Sequence, residues 1–112
     1  MKILFDNGTP RPIARRLRGH SITHARDIGW HELRNGDLIR EAEQAGCDVI
    51  LTTDKNIRYQ QNLQSRKIAL VVLGNSQWPD VRVHIERIAD ALELSAPGSY
   101  VEVDIPFRPR PR

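Results

Sequence analysis

Three aspartates fall where a chain of this kind could concentrate charge: Asp6, Asp37 and Asp54. Asp6 follows the apolar run MKILF, and Asp54 closes the stretch VILTTDKN. A short, β-branched run that stops at polar residues reads as a buried strand whose last side chains emerge at the carboxyl edge of a sheet. In an open α/β sheet, ligands collect outside the carboxyl ends of strands, near the point where strand order reverses. Two strand-end aspartates therefore predict one shared site, with Asp37 on a helix between them. Carboxylates gathered at one edge repel one another, and a hard divalent cation holds them ionised. Mg²⁺ or Mn²⁺ suits such oxygen ligands and keeps waters that can be activated for attack. The chemistry expected of such a site is metal-assisted phosphodiester hydrolysis. Taken singly, each strand-end aspartate has an ordinary alternative as the cap of the following helix.

Charge elsewhere fits that chemistry. The formal net charge is +3 and the sequence pI about 9.5, compatible with a polyanionic partner. Arg11, Arg15, Arg16 and Arg18 crowd one segment, Lys55 and Arg58 follow Asp54, and Arg108, Arg110 and Arg112 alternate with prolines at the end. Phosphate contacts are expected of Arg11, Arg15, Lys55 and Arg58; a solvated surface is the alternative.

The elements that must position these residues alternate along the chain. Lys2–Phe5 is the first strand. Pro10 and Pro12 stand at a helix entrance, where missing N–H groups cost little, and Ile13, Ala14 and Leu17 recur at helical spacing up to Gly19. HSITHA, residues 20–25, reads as a short second strand, whereas residues 26–34 show no clear period. Asn35 is placed as an N-cap, followed by a helix to Gly46 with Leu38, Ala42 and Ala45 on its core face; Asp37 and Glu41 share a different face. Asp48–Thr53 is the next strand and Asn56–Leu63 a short helix. KIALVVLG, residues 67–74, is a central strand. Asn75–Pro79 is a loop, Asp80–Leu94 a helix, and Tyr100–Ile105 an edge strand. This alternation predicts an α/β fold with a mainly parallel sheet. A chain of 112 residues suits one domain, taken as residues 1–105, with residues 106–112 a flexible Pro/Arg tail.

Other residues carry weaker signals. Cys47 is the single cysteine, which excludes an internal disulfide and a cysteine zinc cluster and reads as a small buried thiol. His20, His24, His31 and His84 form no metal-ligand spacing and read as structural or surface groups. Trp30 and Trp78 read as core or interface anchors, with stacking on an RNA base as the alternative. Tyr59, Gln60 and Gln61 could line the mouth of the site. No apolar run approaches the roughly 18 residues of a membrane span, and no signal-like segment opens the chain, so a cytoplasmic protein is expected. Asp6-Asn7-Gly8-Thr9 partly matches the haloacid dehalogenase motif, but that alignment places Phe5 where the nucleophilic aspartate must be. A response-regulator receiver would require an acidic pair where Asp6-Asn7 supplies one acid.

Three segments, MKILFDNGTP, NGDLIREAEQAG and VILTTDKN, with the following IALVVLGN strand, resemble the PIN-like nuclease family described as DUF5615, related to the PIN-domain toxins of toxin–antitoxin systems. The resemblance covers most of residues 1–75. It implies a three-layer α/β/α sandwich whose acidic residues bind Mg²⁺ or Mn²⁺ and cleave RNA, with a small antitoxin protein and a homodimer as expected partners. By position, Asp6 matches the first family aspartate, and Thr52 and Asp54 match the threonine and aspartate of a T-x-D motif, Thr52 orienting Asp54. The expected catalytic and metal set is Asp6, Asp37 and Asp54, supported by Asn7, Glu41, Thr52 and Asn56. The chain departs from the family in three places. Asn7 and Asn56 stand where relatives carry acids, and Asn35 occupies the middle-helix aspartate position, two residues before Asp37. The other reading is therefore a non-catalytic protein- or RNA-binding module with a degraded metal site.

Overall fold

Strands that pair in parallel must be joined by crossovers, and the crossovers cover the sheet on both faces. The computed structural model, which describes residues 1–57 and 66–109, has that construction. Its five strands are β1 (Lys2–Phe5), β2 (Ser21–His24), β3 (Val49–Thr52), β4 (Ala69–Leu73) and β5 (Tyr100–Val103). They form one sheet in the order β2-β1-β3-β4-β5, and every pairing is parallel. β3 and β4 are buried at every position, as the apolar runs Val49–Leu51 and Ala69–Leu73 require, with Thr52 the one polar residue among them. The two edge strands, β2 and β5, are partly exposed.

Side chains alternate across each strand, so each strand feeds two cores. On one face, α1 (Asn35–Gln44) lays Leu38, Ile39 and Ala42 over Leu4, Ile50, Leu70 and Val72. On the other, a 3-10 helix (Arg11–Arg16), α2 (Trp78–Val81) and α3 (Ile85–Leu94) bring Ile13, Val81, Ile88 and Leu92 onto Ile3, Phe5, Leu51 and Val71. The result is the three-layer α/β/α sandwich. Cys47 is buried as expected, and that burial pushes its thiol pKa up. Trp30 and Trp78 are half-buried, one packed against each core. Among the described residues no helix is long and apolar enough to cross a membrane.

The boundaries differ from the sequence expectation in physically simple ways. The first helical segment is a 3-10 helix of six residues, with Pro12 in its first turn and Leu17 as the capping residue at its end. The helix expected over Asp80–Leu94 begins at Trp78 and is interrupted by a 3-10 turn (Arg82–His84). His84 there leaves helical dihedrals, at φ −121° and ψ 25°. Asn35 is the first residue of α1 rather than its cap; Arg34 is the capping residue, and it makes no side-chain cap bond. The short helix expected over Asn56–Leu63 lies largely outside the described residues, as do Arg58, Tyr59, Gln60, Gln61, Arg110 and Arg112.

Within the segment expected as a flexible tail, Arg108 is tied to the body of the fold. Its Nε and backbone N–H donate to Asp80 Oδ1 at 2.9 and 3.2 Å, while Asn75 Nδ2 donates to Asp80 Oδ2 at 2.9 Å. Asp80 is buried. The Asn75 amide, and then Arg108, hold its carboxyl below the usual carboxylate range. A depressed folded-state pKa stabilises the fold above the ordinary carboxylate value, and that stability is lost as the pH falls through the lowered value. Asp80→Asn is therefore expected to lower stability at neutral pH, with the deficit shrinking as the pH drops below about 4. Urea unfolding of both proteins across that range checks it, and parallel pH profiles would contradict the assignment.

Candidate metal centre

The strand order reverses between β1 and β3, because β2 lies on one side of β1 and β3, β4 and β5 on the other. Asp6 and Asp54 follow the carboxyl ends of these two neighbouring strands, at the switch point where α/β sheets form ligand sites. Alternation along the strands also explains which face they occupy. Leu4 and Ile50 point toward α1, so Asp6, Thr52 and Asp54, each an even number of residues farther on, continue on that side.

Thr52 joins the two aspartates. Its side chain is fully buried, its hydroxyl donates to Asp6 Oδ2 at 2.8 Å, and the same oxygen accepts from the Asp54 backbone N–H at 3.1 Å. The expectation that Thr52 orients Asp54 therefore needs refinement: it fixes the carboxylate of Asp6 and the backbone of Asp54. Asp6 Oδ1 accepts from the Asn7 N–H at 2.7 Å. The Asn7 side chain donates to the His31 carbonyl at 2.7 Å, pinning the turn after β1 to the segment that precedes α1. Thr9 Oγ1 donates to the Leu51 carbonyl at 2.8 Å, closing that turn against β3.

The carboxylate of Asp54 is held by two asparagines. Asn35 Nδ2 donates to Oδ2 at 2.9 Å, and the Asn56 N–H donates to Oδ1 at 2.9 Å. The amino end of α1 thus meets Asp54, and the positive end of the helix dipole favours its charge. Asp37 does not join this cluster. Two residues on from Asn35 is about 200° around a helix, so Asp37 points away and its Oδ1 accepts from Arg40 Nη2 instead. Glu41 is one helical turn beyond Asp37 and shares that face. Among the described residues, no three His, Cys, Asp or Glu side chains converge as a metal-binding group. The acids brought together are Asp6 and Asp54; the sequence reading missed Asn35 as the residue contacting Asp54, for which its place at the family's acidic position was the available signal.

Of the expected phosphate contacts, Lys55 is exposed and lines a cleft of about 430 Å³ with Gly74, Glu102 and Phe107. Arg15 is exposed. Arg11 is held by Asp27 through two bonds of 3.2 and 3.0 Å, beside a small pocket lined by Asp6, Asn7 and His24. Burial, then the charge of Arg11, lowers the His24 pKa, and its ring meets Phe5 edge-on with centroids 5.2 Å apart.

The donor set fits a divalent cation of the Mg²⁺ type. Among the described residues, each oxygen of Asp6 and Asp54 accepts one hydrogen bond, and an ionised carboxylate oxygen has a second acceptor site. Mg²⁺ is commonly held by one or two carboxylates, keeping waters and taking substrate phosphates as its remaining ligands.

A family model for the PIN-like domain matches residues 1–74, a span that includes β1 to β4, α1, Asp6 and Asp54. No curated protein and no solved structure matches the chain.

The Asn35 contact generates a prediction. Asn35→Asp replaces an amide donor with a like charge against Asp54, so without divalent metal the variant should be less stable by about 1–3 kcal/mol. It should also bind Mn²⁺ about tenfold more tightly, a gain of about 1.4 kcal/mol. Thermal unfolding with and without Mn²⁺, together with titration calorimetry, checks both; equal metal affinity in the two proteins would contradict the proposed cation position.

Proposed function

The chain belongs to the PIN-like domain family, and on that premise we propose that it is a Mg²⁺- or Mn²⁺-dependent ribonuclease, acting as the toxin component of a toxin–antitoxin pair. The observation that carries the reading is the Thr52 hydroxyl, which binds the Asp6 carboxylate and the Asp54 backbone at the switch point of the sheet. Asp6 and Asp54 would hold the cation. When bound, it supplies stabilisation of charge on the phosphate and a more acidic water. Thr52 and the Asn7 N–H fix the orientation of Asp6, and Asn35 and the Asn56 N–H fix that of Asp54, so each carboxylate is already held in place. Lys55, next to Asp54 and exposed, would contact a neighbouring phosphate. A small antitoxin and a second copy of the chain are the partners in this reading.

Asn35 favours a second reading. An amide where an acid would add charge, with Asp37 turned to Arg40, suits a binding module that keeps the fold without cleavage. Purified wild-type protein and Asp54→Asn, incubated with single-stranded RNA and Mn²⁺, separate the two. The enzyme reading predicts cleavage that EDTA stops and that Asp54→Asn slows by about 100-fold or more. Intact RNA with the wild-type protein supports the binding module, and equal cleavage by Asp54→Asn excludes the mechanism.

A further inference from the structure

A second concave surface lies on the opposite face of the sheet from α1. It encloses about 560 Å³ between the end of the Arg11–Arg16 3-10 helix and the beginning of α3, and its lining includes Arg16, Arg82, His84 and Arg87 with Val83 and Glu86. Its two walls share one core, because Ile13, Val81 and Ile88 belong to a single buried cluster.

The groove gathers three arginines that, among the described residues, carry no ion pair. Arg11, Arg40, Arg66 and Arg108 are each in an ion pair, with Asp27, Asp37, Glu43 and Asp80. Among the described residues Arg16, Arg82 and Arg87 are in none, and Glu86 is the one carboxylate lining the groove. Arg87 Nη1 donates to the Asp104 carbonyl at 2.9 Å, which positions the guanidinium without neutralising it. Like charges held together raise the energy of the compact state unless an anion shares the space. Guanidinium groups also match phosphate geometry, and Val83, 60% exposed, offers an apolar surface beside them.

We propose that this groove binds the sugar–phosphate backbone of the RNA strand cut at the Asp6–Asp54 edge, an inference that rests on the ribonuclease reading above. Both walls start at that edge: the 3-10 helix follows the turn after Asp6, and α2 follows the loop after β4. Arg16 is five residues beyond Arg11, or about 10 Å along a 3-10 helix. A single strand leaving the edge spans that distance within a few nucleotides.

The test is binding of a fluorescein-labelled 12-nucleotide single-stranded RNA in EDTA, followed by anisotropy over a salt series. Loss of three phosphate contacts in Arg16→Ala/Arg82→Ala/Arg87→Ala should weaken binding at least tenfold at low salt and reduce the slope of log K against log salt by about 2. The corresponding triple lysine variant, which keeps the charge, should retain most of the slope. Wild-type affinity and slope in the alanine variant overturn the groove; if the wild-type protein still cleaves RNA, the nuclease reading stands alone. If the wild-type protein neither binds nor cleaves RNA, both readings fall. If the alanine variant loses polyglutamate binding but keeps RNA binding, the groove serves an acidic protein partner and the proposal is wrong.

Discussion

The hydroxyl of Thr52 is the interaction on which the arrangement of the site depends. It is fully buried, and a buried hydroxyl must find partners; it donates to Asp6 and accepts from the backbone of Asp54. Neither aspartate can shift alone without leaving a polar group unpaired. That link exists only because β1 and β3 are adjacent in one register, with Phe5 beside Leu51 and the Asp6 N–H bonded to the Leu51 carbonyl at 3.0 Å. A one-residue slip would turn Thr52 to the opposite face of the sheet. The register is in turn fixed by the buried apolar side chains of both faces, so the hydrophobic core sets the geometry of the polar site.

Electrostatics then decide what the site can hold. Donors surround the two carboxylates: the Asn7 N–H and the Thr52 hydroxyl for Asp6, the Asn35 amide and the Asn56 N–H for Asp54. With these donors in place, the charged forms are satisfied before any cation arrives. The consequence is a preorganised but lightly charged centre, in which, on the proposed reading, a substrate phosphate would complete the coordination that a third protein acid would otherwise provide. On the proposed reading, such a site would gain from the basic surface of Lys55 and of the groove with Arg16, Arg82 and Arg87.

Much of this was legible in the chain. Val49–Leu51 and Ala69–Leu73 are apolar without interruption, as strands buried on both faces must be, and the polar residues Asp6, Thr52 and Asp54 mark the carboxyl edge. The pairing of Asp6 with Asp54 follows from the alternating elements and from the resemblance in the segments MKILFDNGTP and VILTTDKN. The core face of α1 was legible in Leu38 and Ala42, which are buried, although Ala45 is exposed and Ile39 takes part instead; which residue of its first turn meets Asp54 was not, because that depends on how the helix end is set against β3. Asn35 reaches Asp54, while Asp37 pairs with Arg40 one turn along the same helix. The Asp80–Arg108 tie spans 28 residues, and such a long-range contact between a helix and an irregular segment leaves no periodic signal. The groove of Arg16, Arg82 and Arg87 likewise joins segments far apart in sequence.

The central claim is that Asp6 and Asp54 hold one divalent cation at the switch point of the sheet. Anomalous diffraction from crystals soaked in Mn²⁺ tests it most directly. The account predicts a single strong peak within coordination distance, about 2.0–2.3 Å, of a carboxylate oxygen from each aspartate. A peak that avoids one of the two aspartates, or no peak at saturating Mn²⁺, would contradict it.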